Sequence, residues 1–302
     1  MKSLPSPYIL VGDEIFPHHE AKVSASDRGF LYGDGIYETL RIYQGIPFEM
    51  EEHLGRLRES AEALYMVLPW SDEELARKIQ RTLEANETQE GRLRITVTRG
   101  EGDVRARPED LRNPVIVIRA QPYEPPAEDF YLRGVSVEIS ERIRNLPDAL
   151  DPAIKSGNLL NNLLARFEMR NEGTFETLLP NARGELTEGS LSNLFLVDGK
   201  GRLVTPSADS GILLGITRKW VIDLARTSGL EVLEKAVLAE ELYEAQEAFI
   251  TASTLEILPV TRVEDKPIGN GVAGSVTLAL LETYRQGVRD YIESFDWPET
   301  HA

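Results

Sequence analysis

Apolar positions change period several times along the chain. Tyr8-Ile9-Leu10-Val11 and Glu14-Ile15-Phe16 flank Gly12-Asp13 and predict a short hairpin. Residues 36–43, Ile-Tyr-Glu-Thr-Leu-Arg-Ile-Tyr, are rich in strand formers, and Gln44-Gly45 follows as a turn. Between Glu51 and Leu68 the period lengthens. Leu54, Leu57, Ala61, Leu64 and Leu68 step by three and four, which is one apolar helix face. Ser71 and Glu74 form a capping box ahead of a second helix lined by Leu75, Ile79 and Leu83. Leu93, Ile95 and Val97 then alternate with Arg92, Arg94, Thr96 and Thr98, a half-buried strand, and residues 115–118 give another.

Gln121-Pro122-Tyr123-Glu124-Pro125-Pro126 interrupts both periods, because proline stops helix and sheet alike. The pattern therefore predicts a small N-terminal domain over 1–121, a Pro-rich extended linker over 122–130, and a larger C-terminal domain over 131–302. In the second half, residues 158–171 carry Leu160, Leu163, Leu164 and Phe167 at helical spacing. Residues 194–197 and 203–205 flank Asp198-Gly199-Lys200-Gly201 as a hairpin. Trp220, Val221, Leu224 and Ala225 mark a helix, 248–251 a strand, and Val276, Leu280, Tyr284, Val288 and Tyr291 a long C-terminal helix. Strands are grouped rather than alternating with helices, so two α+β domains fit better than one doubly wound sheet.

Composition narrows the function. The 302 residues are 41% hydrophobic and 27% charged, as in ordinary globular proteins. Fifty acids against 33 Lys and Arg give a formal charge of −17, which repels phosphate backbones and anionic lipid. Neither nucleic acid nor membrane is expected as a partner. No signal-peptide core follows Met1, no apolar run reaches the ~18 residues of a spanning helix, and the cytoplasm is the expected location. The absence of cysteine excludes disulfides, thiolate catalysis and cysteine-ligated metals. His18, His19, His53 and His301 form no metal-binding helix pair, so no metal is expected.

Phosphate-loop and nucleophile-elbow patterns are missing. Gly33-Asp34-Gly35-Ile36-Tyr37-Glu38 begins like a dinucleotide fingerprint, but it ends in Glu and strand-like residues follow. Lysine remains. Among the eight in the chain, Lys155 sits alone between an extended apolar segment and the apolar residues after Asn158. Two readings stay open: a solvated lysine near a helix start, or a partly desolvated amine able to form an imine. Glu188 stands just before a buried-looking strand, where a carboxylate needs a cationic partner or loses its charge; otherwise it is a turn acid or cap. Gly211 to Thr217 runs straight into the Trp220 helix and could offer amide groups to a phosphate.

Taken together, these segments resemble the class IV, or fold-type IV, pyridoxal-phosphate aminotransferases. The resemblance rests on Lys155-Ser156-Gly157-Asn158, Thr187-Glu188-Gly189-Ser190 and Leu214-Gly215-Ile216-Thr217-Arg218. It also rests on Arg28-Gly29-Phe30, on Gly33 to Glu38, on His53-Leu54-Gly55-Arg56-Leu57, and on Phe249 to Thr254 with Glu256 and Pro259. These run in order from about residue 27 to 260. The resemblance implies an α+β, two-domain fold whose larger C-terminal domain is a pseudo-barrel. It implies pyridoxal 5'-phosphate as cofactor, Lys155 as its covalent anchor and proton carrier, and Glu188 as partner of the pyridine nitrogen. It implies that Arg56, the amides of Ile216 and Thr217, and Ser253 or Thr254 bind the phosphate, and that Leu213 packs on the ring or simply belongs to the core. A tyrosine that some relatives place shortly after the lysine is Leu159 or Leu160 here, which leaves the partner of the cofactor's O3′ open.

The reaction implied is a ping-pong transfer of nitrogen between an amino acid and a 2-oxo acid. Tyr37 is similar to a carboxylate-binding tyrosine of the D-amino-acid aminotransferase branch. Arg105-Ala106-Arg107 resembles that branch's Arg-x-His pair, which a partner subunit supplies, although His is replaced by Arg and the offset from Gly100 is one residue longer. The pair is either a carboxylate clamp or a solvated basic loop. D-amino acids such as D-alanine or D-glutamate, and a homodimer, are therefore expected. The alternatives are a branched-chain L-amino-acid aminotransferase, an aminodeoxychorismate lyase, and, in another class, a non-catalytic metabolite-binding protein on the same fold.

Overall fold

The computed structural model describes residues 6–297; His301 and the first residues of the chain lie outside them. The chain forms two compact units. One comprises Met1–Glu124, Ile154–Asn158 and Arg289–Ala302; the other comprises Pro125–Ala153 and Leu159–Val288. The units are thus not the contiguous stretches 1–121 and 131–302. The piece carrying Lys155 clusters with the first unit, as does the end of the chain from Arg289.

The first unit contains β1 (Tyr8–Val11), β2 (Glu14–Pro17), α1 (Arg28–Tyr32), β3 (Gly35–Tyr43), β4 (Ile46–Pro47), α2 (Met50–Ala63), α3 (Asp72–Asn86), β5 (Gly91–Thr98) and β6 (Val115–Pro122). Its strands form one antiparallel sheet in the order β2-β1-β6-β5-β3-β4. Alternation sends Ile36, Leu40, Ile42, Leu93, Ile95, Val97, Ile116 and Ile118 into one core with Leu54, Leu57 and Ala61 of α2 and Leu75 and Ile79 of α3. The capping box of Ser71 and Glu74 starts α3 as expected. Helix α2 is shorter than its apolar spacing suggests. It ends at Ala63, and Tyr65 takes a left-handed φ of 53°.

The expected linker over 122–130 is extended only in part. Pro122 ends β6, and residues 128–133 already form α4 (Glu128–Arg133). Prolines before a helix start do not obstruct the hydrogen bonds that follow. The second unit continues with β7 (Val135–Ile139), α5 (Leu160–Phe167), β8 (Glu176–Pro180), β9 (Glu185–Gly189), β10 (Asn193–Val197), β11 (Leu203–Pro206), α6 (Ile216–Thr227), β12 (Val232–Lys235), β13 (Val237–Leu238), α7 (Ala239–Glu244), β14 (Glu247–Ala252), β15 (Glu256–Val263), β16 (Lys266–Pro267) and most of α8 (Ser275–Ser294), whose residues from Arg289 fall in the first unit. Strand order runs β12-β11-β10-β14-β15-β7-β8-β9-β13, and β9 also pairs with β10. That second pairing, Asn193 opposite Glu188, closes β10, β14, β15, β7, β8 and β9 into a barrel-like ring. Mixed helices and strands, with a sheet closed into a barrel-like ring in the second unit, match the α+β arrangement expected from the sequence.

Candidate active site

Lys155 lies on a short segment that pairs with the start of β3, rather than at the edge of a helix; α5 begins only at Leu160. The Tyr37 amide donates to the Lys155 carbonyl at 3.0 Å, and the Gly157 amide donates to the Gly35 carbonyl at 2.8 Å. The Lys155 amide donates to Ser60 Oγ of α2 at 3.1 Å. Three hydrogen bonds therefore fix this segment's backbone to the sheet and the helix, and Nζ lies 4.8 Å from the centroid of the Tyr37 ring.

Arg94 shares that ring, with its guanidinium carbon 3.8 Å from the same centroid. It comes from β5 beside Thr39, on the face of the sheet that carries Tyr37. Burial pushes the Tyr37 phenol up from its ordinary value. Burial also lowers Arg94, and the nearby Arg119 and Arg92 add repulsion. In the sequence Arg94 shows only as the polar half of an alternating strand. What could have singled it out is its closeness to the lysine, and that is not visible without the strand register.

The opposite face of β3 turns Glu38 toward α2. Arg56 Nε and Nη2 donate to Glu38 Oε1 and Oε2 at 2.8 and 2.7 Å, a two-pronged ion pair. His53 Nδ1 is 2.7 Å from Glu38 Oε2. All three side chains are buried. Burial alone would raise the Glu38 carboxyl; Arg56 and His53 outweigh it and hold the group well below the usual carboxylate range. Burial pushes His53 down despite its acid partner, so it is neutral near pH 7. Arg56, which the resemblance gives to the phosphate, faces this acid from α2.

Arg105 and Arg107 lie on the loop after β5; Arg105 is exposed, and Arg107 Nη1 lies 3.7 Å from Glu109. The base of the loop is held firmly. Asp34 accepts from Arg28 Nε at 2.8 Å and from Arg99 Nε at 2.8 Å, and Arg28 Nη1 donates to the Asp103 carbonyl at 2.6 Å.

In the second unit, Glu188 sits at the pairing that closes the ring and is 5% exposed. Its Oε1 accepts from Arg144 Nε at 2.8 Å. Its Oε2 accepts from the Leu213 amide at 2.9 Å and from Asn193 Nδ2 at 3.2 Å. A buried acid at this position demands a cation, and Arg144 is one that the sequence did not identify. Nearby, Gly215 is the N-cap of the twelve-residue α6, and no side chain caps it. Ile216 and Thr217, both buried, open this helix, where amide N–H groups lack intrahelical partners. A Cβ on Gly215 would fall 2.1 Å from Asn193 Oδ1, so a larger residue would have to push the Asn193 side chain aside. Ser253 and Thr254 occupy the turn between β14 and β15, half-buried.

An anchored primary amine, a buried acid fixed by several donors, and an uncapped helix start are the chemistry that pyridoxal phosphate requires of its protein. The residues present fit that group. Comparisons agree. The Amino-transferase class IV family model matches residues 35–263. The chain is 36% identical over 291 residues to a putative branched-chain-amino-acid aminotransferase of Methanocaldococcus jannaschii, covering 94% of this chain and 99% of that one. It is 35% identical over 275 residues to the D-alanine aminotransferase of Listeria innocua, covering 90% and 93%. The crystal structure of the T.th. branched-chain amino acid aminotransferase with pyridoxamine 5'-phosphate superposes with a TM-score of 0.88 at 30% identity, covering 94% of each chain. The chain belongs to the class IV aminotransferase family and is a pyridoxal-phosphate-dependent transaminase.

Proposed function

We propose that the enzyme moves nitrogen between an acidic D-amino acid, of the D-glutamate type, and a 2-oxo acid, as a homodimer working by a ping-pong cycle. One observation carries the choice of an acidic substrate: Lys155 Nζ and the Arg94 guanidinium flank a single ring, 4.8 and 3.8 Å from its centroid. An amino acid reacting beside Lys155 has Arg94 within reach of a side-chain carboxylate, and a half-buried guanidinium is a poor neighbour for a branched aliphatic group.

Pyridoxal phosphate, when bound, supplies an aldehyde that captures amines and a ring that accepts electrons from the substrate's Cα bonds. The residues supply the rest. Lys155 would hold the aldehyde carbon through its ε-amino group, and that amine, when free, would carry a proton to and from the substrate's Cα. Glu188 would pair with the ring nitrogen, and Arg144 orients the Glu188 carboxylate through its hydrogen bond to Oε1. The amides of Ile216 and Thr217, with Ser253 or Thr254, take the phosphate. Arg56 contributes from the Glu38 ion pair. Leu213 would pack on the ring. Tyr37, with Arg105 and Arg107 from the partner subunit's loop, takes the α-carboxylate.

A second reading has a specific support: the Methanocaldococcus jannaschii relative is described as a putative branched-chain enzyme. Half-reactions with D-glutamate, D-alanine and L-leucine, followed by loss of the visible band of the lysine-bound cofactor, separate the two. D-glutamate should convert the enzyme fastest. Arg94→Leu should raise KM for D-glutamate about ten- to a hundredfold, the effect of one lost charge-assisted hydrogen bond, and change D-alanine little. Conversion by L-leucine alone would overturn the reading.

A further inference from the structure

We infer that Glu176 is a positioning residue: it sets the turn that places Glu188 and Asn193, and so governs how the acid meets the cofactor's ring nitrogen. The inference rests on the role given above to Glu188. Glu176 lies on β8 and is 1% exposed. Six donors converge on its carboxylate. Oε1 accepts from the Thr177 amide at 2.9 Å, Arg166 Nη1 at 3.0 Å, the Ser190 amide at 3.2 Å and Ser190 Oγ at 2.5 Å. Oε2 accepts from the Leu191 amide at 3.2 Å and Ser192 Oγ at 3.0 Å.

Four of these donors belong to residues 190–192, the turn joining β9 to β10. Glu188 stands two residues before this turn and Asn193 immediately after it. Asn193 Nδ2 in turn donates to Glu188 Oε2 and to the Leu213 carbonyl at 2.8 Å. The turn is pressed against the acid. A Cβ on Gly189 would fall 2.2 Å from Ser192 Oγ and 2.9 Å from Glu176 Cγ. From α5, Arg166 Nη1 also donates to Ser190 Oγ at 3.1 Å, and Asn162 Nδ2 donates to the Ser190 carbonyl at 2.7 Å. A carboxylate suits this site because it only accepts. A glutamine would aim its own N–H₂ at some of these donors and leave them unpaired.

The test compares Glu176→Gln, Glu188→Gln and the double variant as holoenzymes. Two properties are read: cofactor retained after dialysis, and the pH midpoint of the visible absorption band. Glu188→Gln should weaken retention and move the midpoint. Glu176→Gln should do the same in the same direction, by about ten- to a hundredfold in retention. The double variant should be no worse than Glu188→Gln alone, because both changes break one interaction. Losses that multiply in the double variant would show that Glu176 acts elsewhere and overturn the inference while leaving Glu188 in its role. A silent Glu188→Gln would overturn both. Should Glu176→Gln fail to fold, Ser192→Ala removes one donor alone. It should shift the midpoint in the same direction by less, and an unmoved midpoint contradicts the inference.

Discussion

At the scale of single residues, the site is a set of charges whose neighbours decide their state. Glu38 and His53 are the clearest pair. Both have folded-state values below their ordinary ones, so the unfolded chain binds more protons than the folded one as pH falls. The stability they contribute is complete above the ordinary histidine value of about 6.5 and declines below it, with Glu38 adding a further loss below the ordinary glutamate range. His53→Asn retains a donor toward Glu38 but cannot titrate. Its melting temperature should change less between about pH 7 and pH 5 than that of the parent, and equal slopes would mean that His53 is not buried neutral. The sequence showed the residue types but not these pairings. Glu38 and Arg56 lie far apart along the chain, and only the register of β3 against α2 makes them partners. Lys155 could be picked out because it was the one lysine in an apolar setting. Arg144 could not, since nothing in its own neighbourhood marks it as buried.

At the scale of elements, periodicity revealed most of the long ones. The capping box of α3, the alternation of β5 and the stripe of α8 each came through, because each is amphipathic over enough residues to show its period. Some short pieces did not. Helix α1 spans five residues and buries none of them, so it has no stripe to detect. The Ile154–Asn158 segment is ordered by hydrogen bonds to β3 and Ser60 rather than by a pattern of its own. The start of α6 was visible as glycine before a helix, whereas its contact with Asn193 was not. Gly215→Ala should therefore do more than a surface change. Overpacking costs about 1–3 kcal/mol, and pushing Asn193 away disturbs its bonds to Glu188 and Leu213. We expect a lower melting temperature together with weaker cofactor retention in dialysis. A stable variant that retains cofactor normally would show that the close approach is dispensable.

For the whole molecule, the family and its cofactor were legible because several short segments occur in order along most of the chain. Substrate was less so, because Arg94, the side chain proposed to select it, is brought to Tyr37 only by tertiary structure. The dimer proposed here makes a demand that a monomer cannot meet: the lysine and the arginine loop serving it come from different subunits. Mixing Lys155→Ala chains with chains carrying both Arg105→Ala and Arg107→Ala should therefore restore activity that neither has alone. Random exchange into two-fold dimers gives hybrids with one intact site, about a quarter of the parental activity. No recovery after demonstrated exchange would place both arginines in the same subunit's site, or outside any site.

The central claim is that the ε-nitrogen of Lys155 carries the cofactor. Borohydride reduction of the purified holoenzyme makes that bond permanent, and peptide mass mapping then locates it. A phosphopyridoxyl group is expected on the peptide containing Lys155 and on no other, with loss of the visible band. A label on a different lysine, or full bleaching of the band with Lys155 unmodified, would contradict it.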